Sequence, residues 1–297
     1  MRAFLWQRLG LRVPEHDEDI ADRLPIELDG LAKWELGERL LTARLTGADP
    51  AGLRAAEWRR GTLPPFGFGA AVLDEVEHTV DRLVRAAQAD YAGQARAVDI
   101  AVDLGNGRRL TGTVPEVRGE TLVRTTFSRL APKHRIGAWV SLLALTVAED
   151  RSWRAVSTGR GQFGRPTWRC ELTAPDVPVA RQILRELVAL RDAGLTEPLP
   201  VAPTASAIYA ERRFRGAGTD DAIAAAEREF NGGPNGPGPF GDHTDRHLRY
   251  VWGPAPRLEN LMAAPAPAGE PGESTRFGAL ARRMWAPLLA AESQGQP

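Results

Sequence analysis

Cysteine is almost absent from this chain, since Cys170 is the single one among 297 residues. An intrachain disulfide is therefore impossible, and a lone thiol fits a reducing compartment. Long apolar runs are missing too. No run approaches the length of a membrane-spanning helix, and the opening Phe4-Leu5-Trp6 is too short, with too many charges around it, for a signal peptide. These absences predict a soluble, cytoplasmic protein with no membrane partner.

An excess of charge of either sign is also missing, because 38 basic residues face 38 acidic ones. No long-range field therefore draws the whole chain to nucleic acid, and any such contact must be local. Lysine is scarce: Lys33 and Lys133 are the only two, so nearly all the cations are arginines. Arginine suits bidentate contacts to phosphate, although the codon bias of a GC-rich genome explains the same composition.

Strand patterns are concentrated in residues 98–127. Residues 98–104 alternate apolar and polar side chains with period two, and Gly105-Asn106-Gly107 supplies the positive φ angles of a tight hairpin turn. Residues 109–115 form the predicted return strand, and the β-branched and aromatic run 121–127 predicts a third strand. A strongly apolar helix that backs this sheet is predicted from Pro132 onward.

Helical patterns dominate both flanks of this region. Asp49 is a predicted N-cap with Pro50 in the first turn, and Thr173 is the predicted cap of a helix that stops at Gly194. The other predicted elements are helices over 31–45, 72–84, 205–215, 220–230 and 277–288, strands over 153–159 and 167–172, a turn over 63–69, and flexible Gly/Pro loops over 231–241 and 263–274.

The length permits one or two domains. We expect a single domain over residues 1–297, which is divided into a helical part over 1–97, a sheet core over 98–195 and C-terminal helices over 196–297.

The hairpin, third strand and following helix resemble the core of the PD-(D/E)xK nuclease superfamily, in which an Asp follows the hairpin's second strand and an acid-x-Lys triplet lies in the next strand. Here those places hold Pro115 and Val123-Arg124-Thr125. The residues two places before the two lysines are Leu31 and Ala131, so the sequence contains no acid-x-Lys triplet. A guanidinium stays protonated and is a rigid planar fork, so it cannot take the place of the compact ammonium.

This resemblance implies a mixed α/β (α+β) fold with a degenerate restriction-endonuclease-like core. A mixed central sheet would be flanked by helices and preceded by an N-terminal helical segment. Clustered hard oxygen ligands are needed to hold catalytic divalent metals. Because that set is incomplete here, we expect neither catalytic residues nor a metal site.

Short strings in the same order along nearly the whole chain are similar to the RecC C-terminal domain family. They lie at residues 4–10, 24–31, 39–41, 61–65, 68–69, 110–115, 139–145, 199–200, 250–253 and 285–289. RecC is the gamma subunit of exodeoxyribonuclease V and is several times longer, so we expect this chain to be the terminal domain alone.

The resemblance implies a non-catalytic DNA-binding scaffold of a helicase–nuclease that acts in double-strand break repair and recombination. Its partners would be DNA and the beta (RecB) and alpha (RecD) subunits. ATP and Mg²⁺ would be bound by those partners, with no cofactor on this chain.

A basic patch beside the hairpin is the best candidate for DNA contact, because phosphate contacts give sequence-independent, salt-sensitive binding. Trp252, between the two Gly/Pro loops, could stack on a base or fill a partner's pocket. A solvated sheet edge kept from aggregating by its charge explains the same arginines. The residues of the predicted patch are Arg108, Arg109, Arg118, Arg124 and Arg129.

Three weaker sites are also suggested by spacing. His243 and His247 are four residues apart, with Asp242 and Asp245 as possible oxygen ligands, but solvated polar residues explain them equally well. Asp99 and Asp103 face one side of a strand and could hold magnesium, or simply face water. Residues 159–165 are Gly-rich and basic, and could cradle phosphate or form a tight connection between strands.

Two other functions stay open at this stage. The chain could be an active nuclease whose catalytic acids have migrated to Asp99, Asp103 and Glu116. It could also be a pure protein-interaction module that never touches DNA.

Overall fold

The computed structural model describes residues 1–13, 27–161, 164–233, 238, 240–268 and 272–295. By their internal contacts these residues divide into two compact units. Among the described residues, the sheet unit comprises those within 27–103, 108–174 and 293–295. The helical unit comprises those within 1–13, 104–107 and 175–292. The expectation of one domain with three parts stays a prediction.

A six-stranded mixed sheet forms the centre of the sheet unit, with its strands in chain order from edge to edge. β2 and β3 are antiparallel, β3 and β4 parallel, and β4 and β5 antiparallel. The strands are β1 (Arg96–Gly105), β2 (Arg108–Arg118), β3 (Thr121–Arg129), β4 (Arg154–Arg160), β5 (Thr167–Thr173) and β6 (Glu292–Gly295). The predicted mixed α/β architecture with a mixed sheet and flanking helices is therefore confirmed. The sequence did not predict β6.

The hairpin of β1 and β2 follows the sequence pattern closely. Val98, Ile100 and Val102 are buried, whereas Asp99 and Asp103 lie on the exposed face. All three residues of the turn have positive φ angles, including Asn106 at 53°. Period-two alternation and turn chemistry thus fix this hairpin locally.

The described residues of the sheet unit include four α-helices, of which the first, third and fourth contact the sheet and the second contacts the first. They are α1 (Gly30–Leu45), α2 (Pro50–Arg60), α3 (Phe66–Ala87) and α4 (Pro132–Ala148). Leucines and valines of α1 and α3 form a core cluster with Phe127 of β3. Gly37 of α1 lies so close to the Phe127 ring that a Cβ there would be 2.4 Å from it. On α4, Trp139 and Leu142 are fully buried, as the apolar pattern predicts.

Helices alone build most of the helical unit. They are α5 (Val177–Thr196), α6 (Pro203–Phe214), α7 (Thr219–Phe230), α8 (Arg246–Trp252), α9 (Leu258–Met262) and α10 (Arg276–Ala291). α6 packs on both α7 and α10. The rings of Tyr209 and Phe277 meet edge to face, 5.5 Å apart between centroids, and buried Trp285 donates to Ser206 Oγ at 3.1 Å.

Several predicted boundaries need correction, whereas the start of α2 is confirmed by Asp49, whose carboxylate caps it. Thr173 is the last residue of β5, and the cap of α5 is Asp176, which accepts the Val179 N–H at 3.0 Å. α5 also continues past Gly194. α3 begins at Phe66, inside the predicted turn over 63–69. Asp176, only three residues further along the chain, therefore takes the capping position that the sequence predicts for Thr173.

The two predicted flexible loops are described only in part. Residues 234–237 and 239 of the first and 269–271 of the second lie outside the described residues, as do residues 24–26 of one family-like string. In the second loop Pro265 forms a bridge with Thr275. The Glu273 side chain, 2% exposed, accepts from Tyr209 Oη and from Arg213 Nε. Glu273 is therefore held against α6, and the flexibility of the two loops stays a prediction.

Among the described helices, none combines the length and the apolar composition that crossing a bilayer requires.

Candidate nucleic-acid interface

A pocket of about 430 Å³ opens in the sheet unit beside β3. Its walls come from α1, the turn at Tyr91, the end of β2, the middle of β3 and the first turn of α4. The charged and titratable side chains that line it are Glu38, Tyr91, Glu116, Arg118, Arg124 and His134.

An irregularity in β3 shapes one wall of this pocket. Thr125 pairs with Thr158 and Arg129 with Arg160, so β3 carries two more residues than β4 over that interval. The Phe127 N–H is accepted by the Glu38 carboxylate of α1 at 2.8 Å. Glu38 therefore satisfies a backbone group that the bulge would otherwise leave without a partner.

The second acid of the pocket, Glu116, also makes an internal contact. It has a φ angle of 56° and accepts from Arg118 at 3.2 Å. The same guanidinium donates to the carbonyl oxygens of Tyr91 at 3.0 Å and Gly93 at 2.6 Å, and it lies 4.8 Å from the centroid of the Tyr91 ring. Arg118 thus fastens the segment before β1 onto β2, and its predicted contact with DNA stays a prediction.

Arg124 differs from Arg118 because its charge is not neutralised nearby. Its guanidinium donates to Ser141 Oγ at 2.8 Å, and within the described part of the chain no carboxylate pairs with it. Burial lowers the pKa of Arg124, but a guanidinium still remains protonated at neutral pH. The pocket therefore presents a half-buried cation that lacks a counter-charge.

His134 contributes a neutral imidazole to the same wall. Its Nδ1 accepts the Ala131 N–H at 3.0 Å, so the proton of the neutral ring lies on Nε2. Burial lowers the pKa of His134 first, and the positive charges of Lys133 and Arg124 lower it further. The ring can donate one hydrogen bond without adding a charge.

The pocket also brings together residues that the resemblance to the PD-(D/E)xK core places where nuclease residues are expected. Pro115, Val123, Arg124 and Thr125 all line it. Across the described residues, no three His, Cys, Asp or Glu side chains come close enough to hold a metal ion. The arrangement can accept an anion through Arg124, but Glu38 and Glu116 are already engaged in internal contacts.

The acids proposed for a migrated nuclease site are not brought together. Asp99 accepts a hydrogen bond from Thr113 Oγ1 at 2.8 Å on the exposed face of β1. Of Asp99, Asp103 and Glu116, only Glu116 lines the pocket.

The remaining patch residues are spread along the sheet. Arg108 and Arg109 are exposed at the start of β2, directly after the hairpin turn, and Arg129 is exposed at the end of β3. Trp252, half-buried, is the last residue of α8 in the helical unit. Their predicted contacts with DNA stay predictions.

The histidine pair lies in two elements rather than on one helical face. His243 is in a short turn and its Nδ1 contacts the Phe230 carbonyl oxygen at 3.0 Å, whereas His247 is in α8. Asp242 accepts the backbone N–H groups of Thr204 and Ala205 at the start of α6. These contacts give His243 and Asp242 structural roles.

Sequence reasoning missed Arg160, which had been assigned to a Gly-rich loop. Arg160 is the last residue of β4, paired in register with Arg129, and its guanidinium lies 4.7 Å from the centroid of the Phe127 ring. Burial and the charge of Arg129 lower the pKa of Arg160. No period-two pattern marks this end of the strand, because residues 155–159 are all buried.

Close backbone packing explains the glycines of this stretch without a bound phosphate. A Cβ on Gly159 would lie 2.8 Å from the Ser128 carbonyl oxygen, and the Gly161 N–H donates to the Pro166 carbonyl oxygen at 3.2 Å. The predicted tight connection between two strands is thus confirmed for the described residues. Residues 162–163 of the loop lie outside them.

Comparison with known proteins identifies the family. The RecC C-terminal domain model matches residues 1–214. The RecBCD enzyme subunit RecC of Mycobacterium tuberculosis is 41% identical over 290 residues, which are 97% of this chain and 26% of that protein. The subunit of the same name from Mycolicibacterium smegmatis is 40% identical over 290 residues, again 97% of this chain and 26% of the relative.

A more distant relative is the RecBCD enzyme subunit RecC of Escherichia coli, 27% identical over 169 residues, which are 52% of this chain and 14% of that protein. The chain belongs to the RecC C-terminal domain family. It spans about a quarter of the length of the mycobacterial relatives.

Proposed function

We propose that this chain is a non-catalytic DNA-binding scaffold, which acts as part of a RecC-type subunit in a helicase–nuclease. The observation that carries the proposal is Arg124, a half-buried cation that lines the pocket without a carboxylate partner. A phosphate oxygen would supply the missing counter-charge and accept the free guanidinium donors.

The fold supports the non-catalytic part of this proposal. We interpret the sheet and its helices as a degenerate PD-(D/E)xK-like core, in which the pocket occupies the position of a former catalytic centre. Glu38 and Glu116 remain in that pocket, but one bonds to the backbone of β3 and the other to Arg118. A two-metal hydrolase needs such oxygens for its ions.

Partners follow from the names of the relatives, each of which is a subunit of the RecBCD enzyme. We propose that the complete subunit assembles with RecB and RecD and acts on DNA ends in repair and recombination in the cytoplasm. Hydrolysis of ATP and strand cleavage, with the Mg²⁺ they need, would belong to those partners.

The direct test of DNA contact replaces Arg108, Arg109 and Arg124 together with Ala. Because each lost phosphate contact lowers the slope of log K against log salt concentration by about 0.9, we expect the slope for duplex DNA to fall by about 2 to 3. Fluorescence anisotropy of a labelled duplex over a salt series measures it.

A matched control removes three exposed arginines of the helical unit, Arg228, Arg257 and Arg283. It changes the net charge equally, so a local patch predicts a smaller effect than the first variant shows. Equal slopes for parent and patch variant would contradict the proposed surface. No salt-dependent binding by the parent would favour a protein-interaction module.

A further inference from the structure

Three aromatic side chains are exposed at the end of α2 and the start of α3. Trp58 is 38% exposed, Phe66 88% and Phe68 59%. We call these three residues the aromatic knuckle. Single exposed apolar residues are ordinary on a protein surface, whereas three large exposed rings within eleven residues of the sequence are a concentration that points to a binding role.

The backbone beneath the knuckle is tightly constrained. Gly61 ends α2 with a left-handed φ of 70°, and Pro64 and Pro65 follow shortly after it. A Cβ on Gly69 would lie 2.2 Å from the Pro64 carbonyl oxygen and 3.0 Å from the Trp58 ring, so the turn is closely packed. The backbone that carries the rings is therefore fixed before any partner binds, which lowers the entropy cost of binding.

The backbone at Phe66 is strained. Its φ is 56°, a region that β-carbon-bearing residues adopt at a cost in energy. A glycine would meet that backbone requirement without strain. The Phe66 ring is almost fully exposed, so burial of its side chain does not offset that strain.

The charges around the knuckle are basic. Residues 58–73 contain no Asp or Glu, and Arg59 and Arg60 are both exposed. The neighbouring Glu57 is 4% exposed and pairs with Arg39 at 2.9 Å and Arg60 at 3.3 Å. Within the described part of the chain, Arg59 has no carboxylate partner.

From these observations we propose that the aromatic knuckle binds single-stranded nucleic acid, with unpaired bases stacked on its rings and Arg59 in contact with the backbone phosphates. Base stacking on aromatic side chains tolerates any sequence because every base has a π-face. A duplex keeps its base faces stacked internally, so it offers no surface for these rings. The inference rests on the proposed function for the identity of the ligand, but on a different surface of the chain.

The test uses two variants, Phe66→Gly and Phe68→Ala, with Phe214→Ala as the matched control. Phe214 is 53% exposed at the end of α6 and lies outside the knuckle. Fluorescence anisotropy with a labelled 20-nucleotide oligothymidylate and with a 20-base-pair duplex gives both affinities. We expect each knuckle variant to lose about tenfold in single-strand affinity and less than twofold in duplex affinity.

Phe66→Gly also separates binding from folding. Because glycine adopts the positive φ without strain, the melting temperature of this variant should be no lower than that of the parent. Unchanged single-strand affinity in the two knuckle variants, or an equal loss from Phe214→Ala, would overturn the proposal. Equal losses for single strand and duplex would also overturn it.

The patch variant distinguishes this inference from the proposed function. If the arginine substitutions lower duplex affinity while the knuckle variants change nothing, the inference fails and the proposed function stands. If only the knuckle variants lower the affinity, and only for the single strand, the inference stands and the proposed arginine patch fails. Self-association that both knuckle variants abolish in sedimentation, without any change in oligonucleotide affinity, would assign the surface to a second copy of the chain.

Discussion

At the scale of single residues, Asp242 illustrates how acids in this chain serve the fold rather than a metal. Its carboxylate accepts the Thr204 N–H at 2.9 Å and the Ala205 N–H at 2.8 Å, and so caps α6 from a distant segment. Burial nevertheless raises the pKa of Asp242, and the negative charge of Asp245 raises it further. The folded state therefore binds a proton at Asp242 more readily than the unfolded chain does.

A pH prediction follows for Asp242→Asn. A raised pKa contributes stability that is fully present below the unfolded value of 3.8 and is lost as the pH rises through the folded value. At pH 7 the variant keeps an acceptor oxygen without a buried charge, so we expect it to be at least as stable as the parent. This advantage should shrink as the pH falls from 7 to 4.

Thermal unfolding of both chains at pH 7, 5 and 4 measures the effect. Asp49→Asn is the control, because Asp49 caps α2 at an exposed position. A loss of more than about 1 kcal/mol at pH 7 in Asp242→Asn would contradict this reading, since it would mean that the charge itself stabilises the cap.

At the scale of elements, local chemistry and long-range contacts separate what the sequence could predict from what it could not. The alternation in β1 and the Asp49-Pro50 start of α2 depend on neighbours within a few residues, and both are confirmed. The bulge of β3 depends on Glu38, 89 residues before Phe127. β6 has no apolar alternation, so pairing in the sheet alone defines it.

The contact between α1 and β3 gives an element-scale prediction. A methyl group in Gly37→Ala would lie 2.4 to 2.5 Å from three ring atoms of Phe127, which is 2% exposed and cannot move away freely. We expect a loss of about 1 to 3 kcal/mol in the free energy of unfolding, as for other overpacked cores.

Gly30→Ala, in the same helix, is its control because nothing lies within 4 Å of the added methyl group. There the gain in helix propensity should leave the stability unchanged or slightly higher. Urea unfolding measures both variants. Equal stability of Gly37→Ala and Gly30→Ala would show that α1 and β3 are not packed as closely as described.

At the scale of the whole molecule, the balanced charge explains why a binding site had to be sought locally. The sequence places Arg124 in the middle of the run Val123-Arg124-Thr125, where an acid-x-Lys triplet is expected, and the structure places it in the pocket. From the sequence, Arg118, which holds the Tyr91 segment, could not be told apart from an arginine that binds phosphate. Arg160 did not stand out as a candidate at all. Whether an arginine is paired depends on residues far along the chain, so composition alone cannot decide it.

The same limit applies to the acids of the pocket. Glu38 and Glu116 are ordinary glutamates in the sequence, and only the structure shows that Glu38 bonds to the β3 backbone and Glu116 to Arg118. The central proposal is that this chain binds DNA without cutting it.

Incubation of the purified chain with linear duplex DNA and Mg²⁺, followed by gel electrophoresis, tests that claim most directly. With every pocket acid engaged in internal contacts, we predict that the DNA keeps its full length while it is bound in a salt-sensitive manner. Progressive, Mg²⁺-dependent digestion that disappears in Asp99→Ala, Asp103→Ala or Glu116→Ala would contradict the account.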